Sequence, residues 1–376
     1  MTPEEIELLR QLTVVIPTCN RPLELERSIE YWRETPVTVL ILDGSDKAYF
    51  PFGPLENAPN INYHHMPAQN NQNPEESVFQ RIVFGSKLPT TKFSAVGCDD
   101  DFYTVSGLIT SLRVLVSQPN LDAVAGRVAS YARNNSQIKW NMYYNFTAQA
   151  AALSPFLQTR AERRRDWFLY AICRTDVWAK FLRASYEERS FTKLNFGGHD
   201  WMMRIFSLAM FKTFFIESIF LVRQRTIHGR NVGPTIEWNA WLAENEESEP
   251  VKELVEHLAE SLRQVSSEHE SFNHREYARY LIQREIRSFR ESKSTQEKPF
   301  LTRLKSALSG EFKRLNRKLT IKFAPLDKRV RRLPNRTEPF IQNLTKLGYL
   351  KESSDISAIC EILTKPREEL RLRADI

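Results

Sequence analysis

The chain has 376 residues, 41% of them hydrophobic and 26% charged, with four cysteines and a formal net charge of +7. Such a composition excludes a disordered polymer and a disulfide-stapled module, and the length accommodates one large domain with a smaller companion. No apolar run approaches the roughly 18 residues of a membrane span; the best candidate, Phe214 to Val222, contains Glu217 and stops at Arg223.

Met1 to Glu7 is acidic and lacks the basic start and apolar centre of a signal peptide. Cys19, Cys98, Cys173 and Cys360 lie far apart with no Cys-x-x-Cys, so neither a zinc site nor a disulfide framework is indicated. Both features predict a reducing, cytoplasmic location. Leu12 to Ile16 is a compact β-branched run stopped by Pro17, which predicts a first strand. Pro22 to Trp32 follows with a helical pattern, Leu23, Ile29 and Trp32 being apolar. Val37 to Leu42 predicts a second strand, closed by Asp43-Gly44-Ser45, and Ile61 to Tyr63 a weaker third. Glu75 to Leu88 reads as a helix with Val78, Ile82 and Val83 on one face, leading into a strand at Phe93 to Val96. Continuous apolar strands alternating with helices predict a parallel α/β sheet covered on both faces. In such sheets ligands gather at the carboxyl ends of the strands. Thr18-Cys19-Asn20, Asp43-Gly44-Ser45 and Asp99-Asp100-Asp101 all follow strands directly, so they should converge on one edge.

Beyond the aspartates come a helix (Ser106 to Val116), a strand (Ala123 to Val128), a looser aromatic stretch (Trp140 to Phe146) and a further strand at Phe168 to Ile172. Gly197-Gly198-His199-Asp200 opens an amphipathic helix from Trp201 to Met210, and Phe214 to Arg223 is a final apolar segment before His228. From Pro250 the texture changes: Val251, Leu254, Val255, Leu258 and Leu262 recur at helical spacing among charges, and Tyr277 to Phe289 is similar. The expected division is an α/β domain over 1–235 and a helical, basic region over 236–376. Between Lys298 and Arg336 thirteen Lys or Arg face two acids, Glu311 and Asp327, a local excess of +11. Leu301, Leu304, Leu308, Phe312, Leu315 and Leu319 recur there between the basic residues. The pattern is that of a basic amphipathic helix, suited to packing on the chain or to an anionic membrane surface. With Phe300, Phe312 and Phe323 as its only aromatics, the segment is a thin stacking platform, and no nucleic-acid partner is expected.

The triple aspartate is the most informative feature. Three carboxylates closing a buried strand repel one another and are costly to desolvate. A divalent cation removes that objection, because carboxylates two residues apart can present oxygens to Mg2+ or Mn2+, which in turn hold nucleotide phosphates.

Val14-Val-Ile-Pro-Thr-Cys-Asn-Arg21-Pro, Ile41-Leu-Asp-Gly-Ser45, the triple aspartate and Gly198-His-Asp-Trp201 together resemble bacterial family 2 glycosyltransferases of the GT-A fold. The resemblance covers roughly residues 12 to 230. It implies a GT-A, Rossmann-like domain that moves a sugar, with inversion, from a nucleoside diphosphate sugar to a hydroxyl of a glycan, lipid-linked or protein acceptor in surface glycan synthesis. Under it, Pro17, Thr18, Asn20 and Arg21 face the nucleoside, and Asp43 accepts a hydrogen bond from the base. Arg81 reaches the base or supports the carboxylates. Asp99 and Asp101 form the Asp-x-Asp pair that holds Mn2+ or Mg2+, Asp99 facing the ribose or a metal-bound water and Asp101 ligating the metal directly. Asp100 stands between them on the donor side, a register shift of one remaining open. His228, flanked by Arg223, Arg225 and Arg230, is the expected further metal ligand. Inverting transfer needs a carboxylate to deprotonate the acceptor, and Asp200 is that candidate. The family usually carries an acidic pair there, whereas this chain has His199-Asp200. A location at the inner face of the membrane would suit such an enzyme. Competing readings are a nucleotidyltransferase or sugar-nucleotide pyrophosphorylase, which the lack of a glycine-rich phosphate loop after the first strand disfavours, a nucleic-acid-binding protein, and a non-catalytic sugar-binding module.

Overall fold

The computed structural model of the protein describes residues 1–49, 58–67, 74–134, 137–143, 170–186, 207, 210–224, 233–265, 273–296, 337–346 and 348–365. Its strands are β1 (Leu12–Thr18), β2 (Thr38–Asp43), β3 (Ile61–His65), β4 (Phe93–Val96), β5 (Phe102–Tyr103), β6 (Ala123–Asn134), β7 (Gln137–Tyr143), β8 (Ile172–Arg174) and β9 (Thr213–Gln224). The helices are α1 (Pro3–Leu9), α2 (Pro22–Trp32), α3 (Pro74–Gly85), α4 (Val105–Ser117), α5 (Thr175–Tyr186), α6 (Gly233–Glu244), α7 (Glu249–Val265), α8 (His274–Gln296), α9 (Thr337–Lys346) and α10 (Leu350–Thr364).

One mixed sheet runs β3-β2-β1-β4-β8-β6-β9-β5, with β7 added to β6. From β3 to β4 it is parallel, as the apolar runs predict, with Val14 opposite Val39 and Ala95. Beyond β4 the expectation of a wholly parallel sheet fails, since β8 is antiparallel to both β4 and β6, and among the described strands there only β6 and β9 pair parallel. An apolar run shows that a strand is buried and carries nothing about its direction, and antiparallel strands commonly extend parallel sheets. The aromatic stretch near Trp140 is regular at its start: β7 pairs antiparallel with β6, Trp140 opposite Tyr131. Pro17 sits inside β1 without harm. The carbonyls of Gln11 and Val15 face β4, where they accept from Phe93 and Gly97. Residue 17 faces the same way, past the end of β4, where no donor is needed.

Alternate residues of β1 enter two cores. Leu12, Val14 and Ile16 pack with α2, α4, α9 and α10 on one face, and Val15 packs with α3, α5, α6, α7 and α8 on the other. The helical region expected from 236 onward is thus divided between the faces: Leu254, Leu258 and Leu281 lie on one, Phe340, Ile356 and Leu363 on the other. α2 is buried from Leu25 to Trp32, including Glu26, Arg27 and Glu30. Both glutamates are matched: Glu30 pairs with Arg33 at 2.6 Å and with Lys365 beyond α10 at 3.1 Å, and Glu26 accepts from the Tyr49 hydroxyl. No helix among the described residues is long and apolar enough to cross a membrane.

Candidate functional site

Strand order reverses between β1 and β4: β1 leads to β2 and β3 on one side, and the chain then returns to place β4 on the other. A reversal of this kind opens a crevice outside the carboxyl ends of the two strands, where open α/β sheets hold ligands. Thr18, Cys19, Asn20 and Arg21 line one wall and Cys98 to Asp101 the other. The third predicted segment, Asp43-Gly44-Ser45, joins them through backbone pairing, as Gly44 N donates to Thr18 O at 2.9 Å.

The aspartates are individually secured. Asp99 accepts from Thr18 Oγ1 and from Arg21 Nη1, both at 2.6 Å, so both of its oxygens are engaged. The second arm of Arg21, Nη2, reaches Asp100 Oδ2 at 2.6 Å. Asp101 accepts from the Gln224 backbone N–H at 2.9 Å, and its other oxygen lies 3.6 Å from Arg223 Nε. The Arg223 guanidinium in turn rests over the Tyr170 ring, 5.2 Å from its centre. Tyr131 donates to the Asp100 carbonyl at 2.9 Å. Asp99 and Asp101 are only 2% and 3% exposed. Burial first, and then the charge of Asp100, push both carboxyls well above the usual carboxylate range, against the opposing pull of Arg21 on Asp99 and of Arg223 on Asp101. Burial alone would lower the pKa of Arg21, but Asp99 and Asp100 outweigh it and raise the group further, so this guanidinium is always charged.

Cys98 Sγ and carboxylate oxygens of Asp100 and Asp101 lie within 4.8 Å of one another. Two carboxylates at that separation suit Mg2+ or Mn2+, hard cations that prefer oxygen. The Cys98 thiol, held protonated by burial and 3.2 Å from the Tyr170 hydroxyl, is a poor ligand for either. A cation here would therefore be held by Asp100 and Asp101 rather than by the expected pair Asp99 and Asp101, because both oxygens of Asp99 are turned to Thr18 and Arg21.

Beside the aspartates lies a cavity of 360 Å³ between the β1–α2 loop and the turn after β2, lined among others by Thr18, Asn20, Arg21, Ser45, Lys47 and Tyr49. Asn20 adopts a left-handed backbone (φ 54), a conformation that a short polar side chain tolerates well. Its N–H donates to Ser45 Oγ at 2.7 Å. Ser45 in turn donates to Asp43 Oδ1 from its hydroxyl at 2.5 Å and from its backbone at 2.9 Å. Asp43 Oδ2 accepts from the Tyr63 hydroxyl at 2.5 Å and lies 3.4 Å from Tyr49 N. With four donors on it and no exposure, the Asp43 carboxylate shapes the turn that walls the cavity.

Arg81 reaches the same edge from α3. Its Nη1 donates to Ser77 Oγ at 2.7 Å, while Nε and Nη2 have no hydrogen-bond partner among the described residues, although the side chain is 2% exposed. Burial lowers its pKa, and neighbouring Cys19 and Asp43 oppose the shift. The guanidinium fits because residue 44 is glycine; a Cβ there would lie 2.0 Å from Arg81 Nη1.

Thr18, Asn20, Arg21, Asp43, Arg81 and the three aspartates are thus gathered at one sheet edge, with Pro17 behind them in β1. Asp200, its neighbours Gly197, Gly198 and His199, and His228 lie outside the described residues. Three contributors had no signal in the sequence: Tyr63, Tyr131 and the Gln224 amide. Each acts through a contact between distant segments, the longest, Gln224 to Asp101, spanning 123 residues.

No protein-family model matches the chain, and no curated protein matches it in sequence. Among solved structures, S. aureus TarS 1-349 is similar over 76% of this chain and 92% of that one, at 10% identity and a TM-score of 0.39. The same fragment in complex with UDP gives 12% and 0.36, and in complex with UDP-GlcNAc 11% and 0.34, each with the same two coverages. At such identities and scores, no residue role transfers from one protein to the other.

Proposed function

We propose that the protein is a metal-dependent, inverting glycosyltransferase of the GT-A type, moving a sugar from a nucleoside diphosphate sugar to a hydroxyl acceptor. One observation carries the reading: Thr18 and Arg21 converge on Asp99 and Asp100 at the strand-order reversal, next to a cavity of 360 Å³. A nucleoside fits such a cavity, and its diphosphate would lie toward the aspartates. Mn2+ or Mg2+, held by Asp100 and Asp101, would offset the negative charge that grows on the leaving diphosphate.

The chain's own residues supply the rest. Asp43 and Ser45 fix the turn over the nucleoside, and Arg81, packed against Gly44 of that turn, has two guanidinium nitrogens, Nε and Nη2, without a hydrogen-bond partner among the described residues. Asp200 takes the proton of the acceptor hydroxyl as that oxygen attacks the anomeric carbon opposite the departing diphosphate. His228 would complete the metal site. The acceptor is a glycan, a lipid-linked sugar or a protein, and the basic segment 298–336 would hold the enzyme at an anionic membrane surface. A nucleotidyltransferase is disfavoured because Cys19-Asn20-Arg21 after β1 contains no glycine and so builds no phosphate-cradling loop.

The test is a panel of nucleotide sugars with purified protein and Mn2+, reading donor hydrolysis and the thermal shift given by each nucleoside diphosphate. Turnover of one donor, abolished by chelator, is expected. Absence of both turnover and thermal shift across the panel refutes the reading.

A further inference from the structure

Arg21 grips two carboxylates at once, and one of them is needed elsewhere. Its Nη2 holds Asp100 Oδ2 at 2.6 Å, yet Asp100 also belongs with Cys98 and Asp101 to a group of ligand atoms within 4.8 Å. A guanidinium and a divalent cation on the same carboxylate repel each other, strongly so where water is partly excluded. Asp99 offers no alternative, since Thr18 and Arg21 engage both of its oxygens. The Arg21 side chain is nonetheless 38% exposed and borders the cavity. Its backbone carbonyl accepts from Leu25 N at 3.0 Å and the preceding N–H, that of Asn20, donates to Ser45, so the long side chain can swing while its root stays in place.

We propose that Arg21 is an internal counter-cation that exchanges partners: in the free protein it neutralises Asp99 and Asp100, and when a divalent cation and a nucleoside diphosphate bind it releases Asp100 and turns to the diphosphate oxygens. The inference rests on the metal and diphosphate reading above and adds the linkage between the two ligands. Arg21 keeps the aspartate cluster from collecting cations when no nucleotide is present. The diphosphate then strengthens cation binding by giving the guanidinium another partner, and by reciprocity the cation strengthens diphosphate binding to the same degree. Arginine suits both positions, because its planar fork matches a carboxylate pair and a phosphate equally well.

The test measures Mn2+ affinity from the free-ion paramagnetic resonance signal, with full-length protein, with and without uridine, adenosine or guanosine diphosphate. Arg21→Met should bind Mn2+ alone roughly tenfold more tightly than the parent and lose most of the enhancement that a diphosphate gives. Arg21→Lys should fall between them, because one ammonium cannot bridge two carboxylates, and it carries the comparison if the methionine variant does not fold. Unchanged or weaker Mn2+ binding by both variants overturns the exchange. If parent and variants bind Mn2+ equally and a diphosphate enhances each equally, the metal reading stands and the exchange alone falls. If none binds Mn2+ under any condition, the metal reading itself fails and takes the exchange with it.

Discussion

Asp101 owes its position to β9, for its carboxylate is anchored by the Gln224 amide and faced by Arg223. That anchoring lets its charge be separated from its shape by substitution. Asp101→Asn still accepts from Gln224 and keeps the local packing, but it loses the charge a divalent cation needs. Nucleoside diphosphate affinity in Mn2+ should fall to the value measured in EDTA, as titration calorimetry would show; undiminished affinity in Mn2+ would remove Asp101 from the metal site. Asp200→Asn separates the roles differently. Removing basicity while keeping size should lower transfer by roughly 10²- to 10⁴-fold with donor affinity intact. Loss of donor affinity in step with rate would instead mark Asp200 as a donor contact or helix cap. At this scale the sequence was informative about where charge gathers, since the consecutive Asp99 to Asp101 do stand at the reversal of strand order. It was uninformative about what those charges touch: Asp43 reads as a residue open to a ligand, whereas its oxygens are spent on Ser45, Tyr49 and Tyr63.

Among the elements, α4 shows most directly how distant parts of the chain support the site. It begins at Val105, just after the aspartates, and is capped twice. Thr104 accepts from Gly107 N at 3.1 Å, and Asp355 of α10 accepts from the Ser106 backbone at 2.9 Å and from its hydroxyl at 2.5 Å. Gly107 allows α4 to lie against β9, since a Cβ there would stand 2.5 Å from Phe220 Cα. Burial raises the pKa of Asp355, while the Ser106 hydrogen bonds and Lys351 oppose the shift. The sign follows: a carboxyl raised on folding takes up a proton, so stability falls as pH rises from the unfolded value, 3.8, through the folded one. Asp355→Asn keeps an acceptor for Ser106 and removes the charge. Urea titrations from pH 4 to 8 should show it with a flatter stability profile than the parent and, at pH 7, within about 1 kcal/mol of it. A steeper profile, or a loss well beyond that at pH 7, would show the charge to be favourable where it stands. Helix and strand positions on this side were legible from periodicity. The cap was not, because Ser106 and Asp355 lie 249 residues apart and neither has a local pattern that points to the other.

Seen whole, the chain wraps its sheet from both ends. α7 and α8 cover the face that holds Val15, whereas α9 and α10 return to the face that holds Val14 and Ile16. The leucine spacing of α7 announced a helix with one buried side, and Val251, Leu254, Val255, Leu258 and Leu262 are indeed buried. Spacing alone could not say which face of the sheet receives it, since both faces of a covered sheet offer the same apolar surface. The basic segment 298–336 lies outside the described residues and joins α8 to α9, so it links helices on opposite faces. Its local excess of +11 stands against a chain total of +7, so the remainder of the chain carries no positive excess of its own to draw it to an anionic surface. Each basic residue near lipid headgroups contributes about 1 kcal/mol, and the interleaved leucines supply an apolar face that could enter the interface. If that segment serves only to pack, liposomes of any charge should leave the protein in the supernatant. If it docks the enzyme beside a lipid-linked acceptor, sedimentation should require anionic lipid and decline steadily across a salt series as the Debye length shortens. Replacing Lys313, Arg314, Arg317 and Lys318 by glutamine should then abolish pelleting while leaving transfer to a water-soluble acceptor unchanged. Pelleting with neutral vesicles, or the absence of pelleting at low salt with anionic ones, would refute membrane docking by this segment.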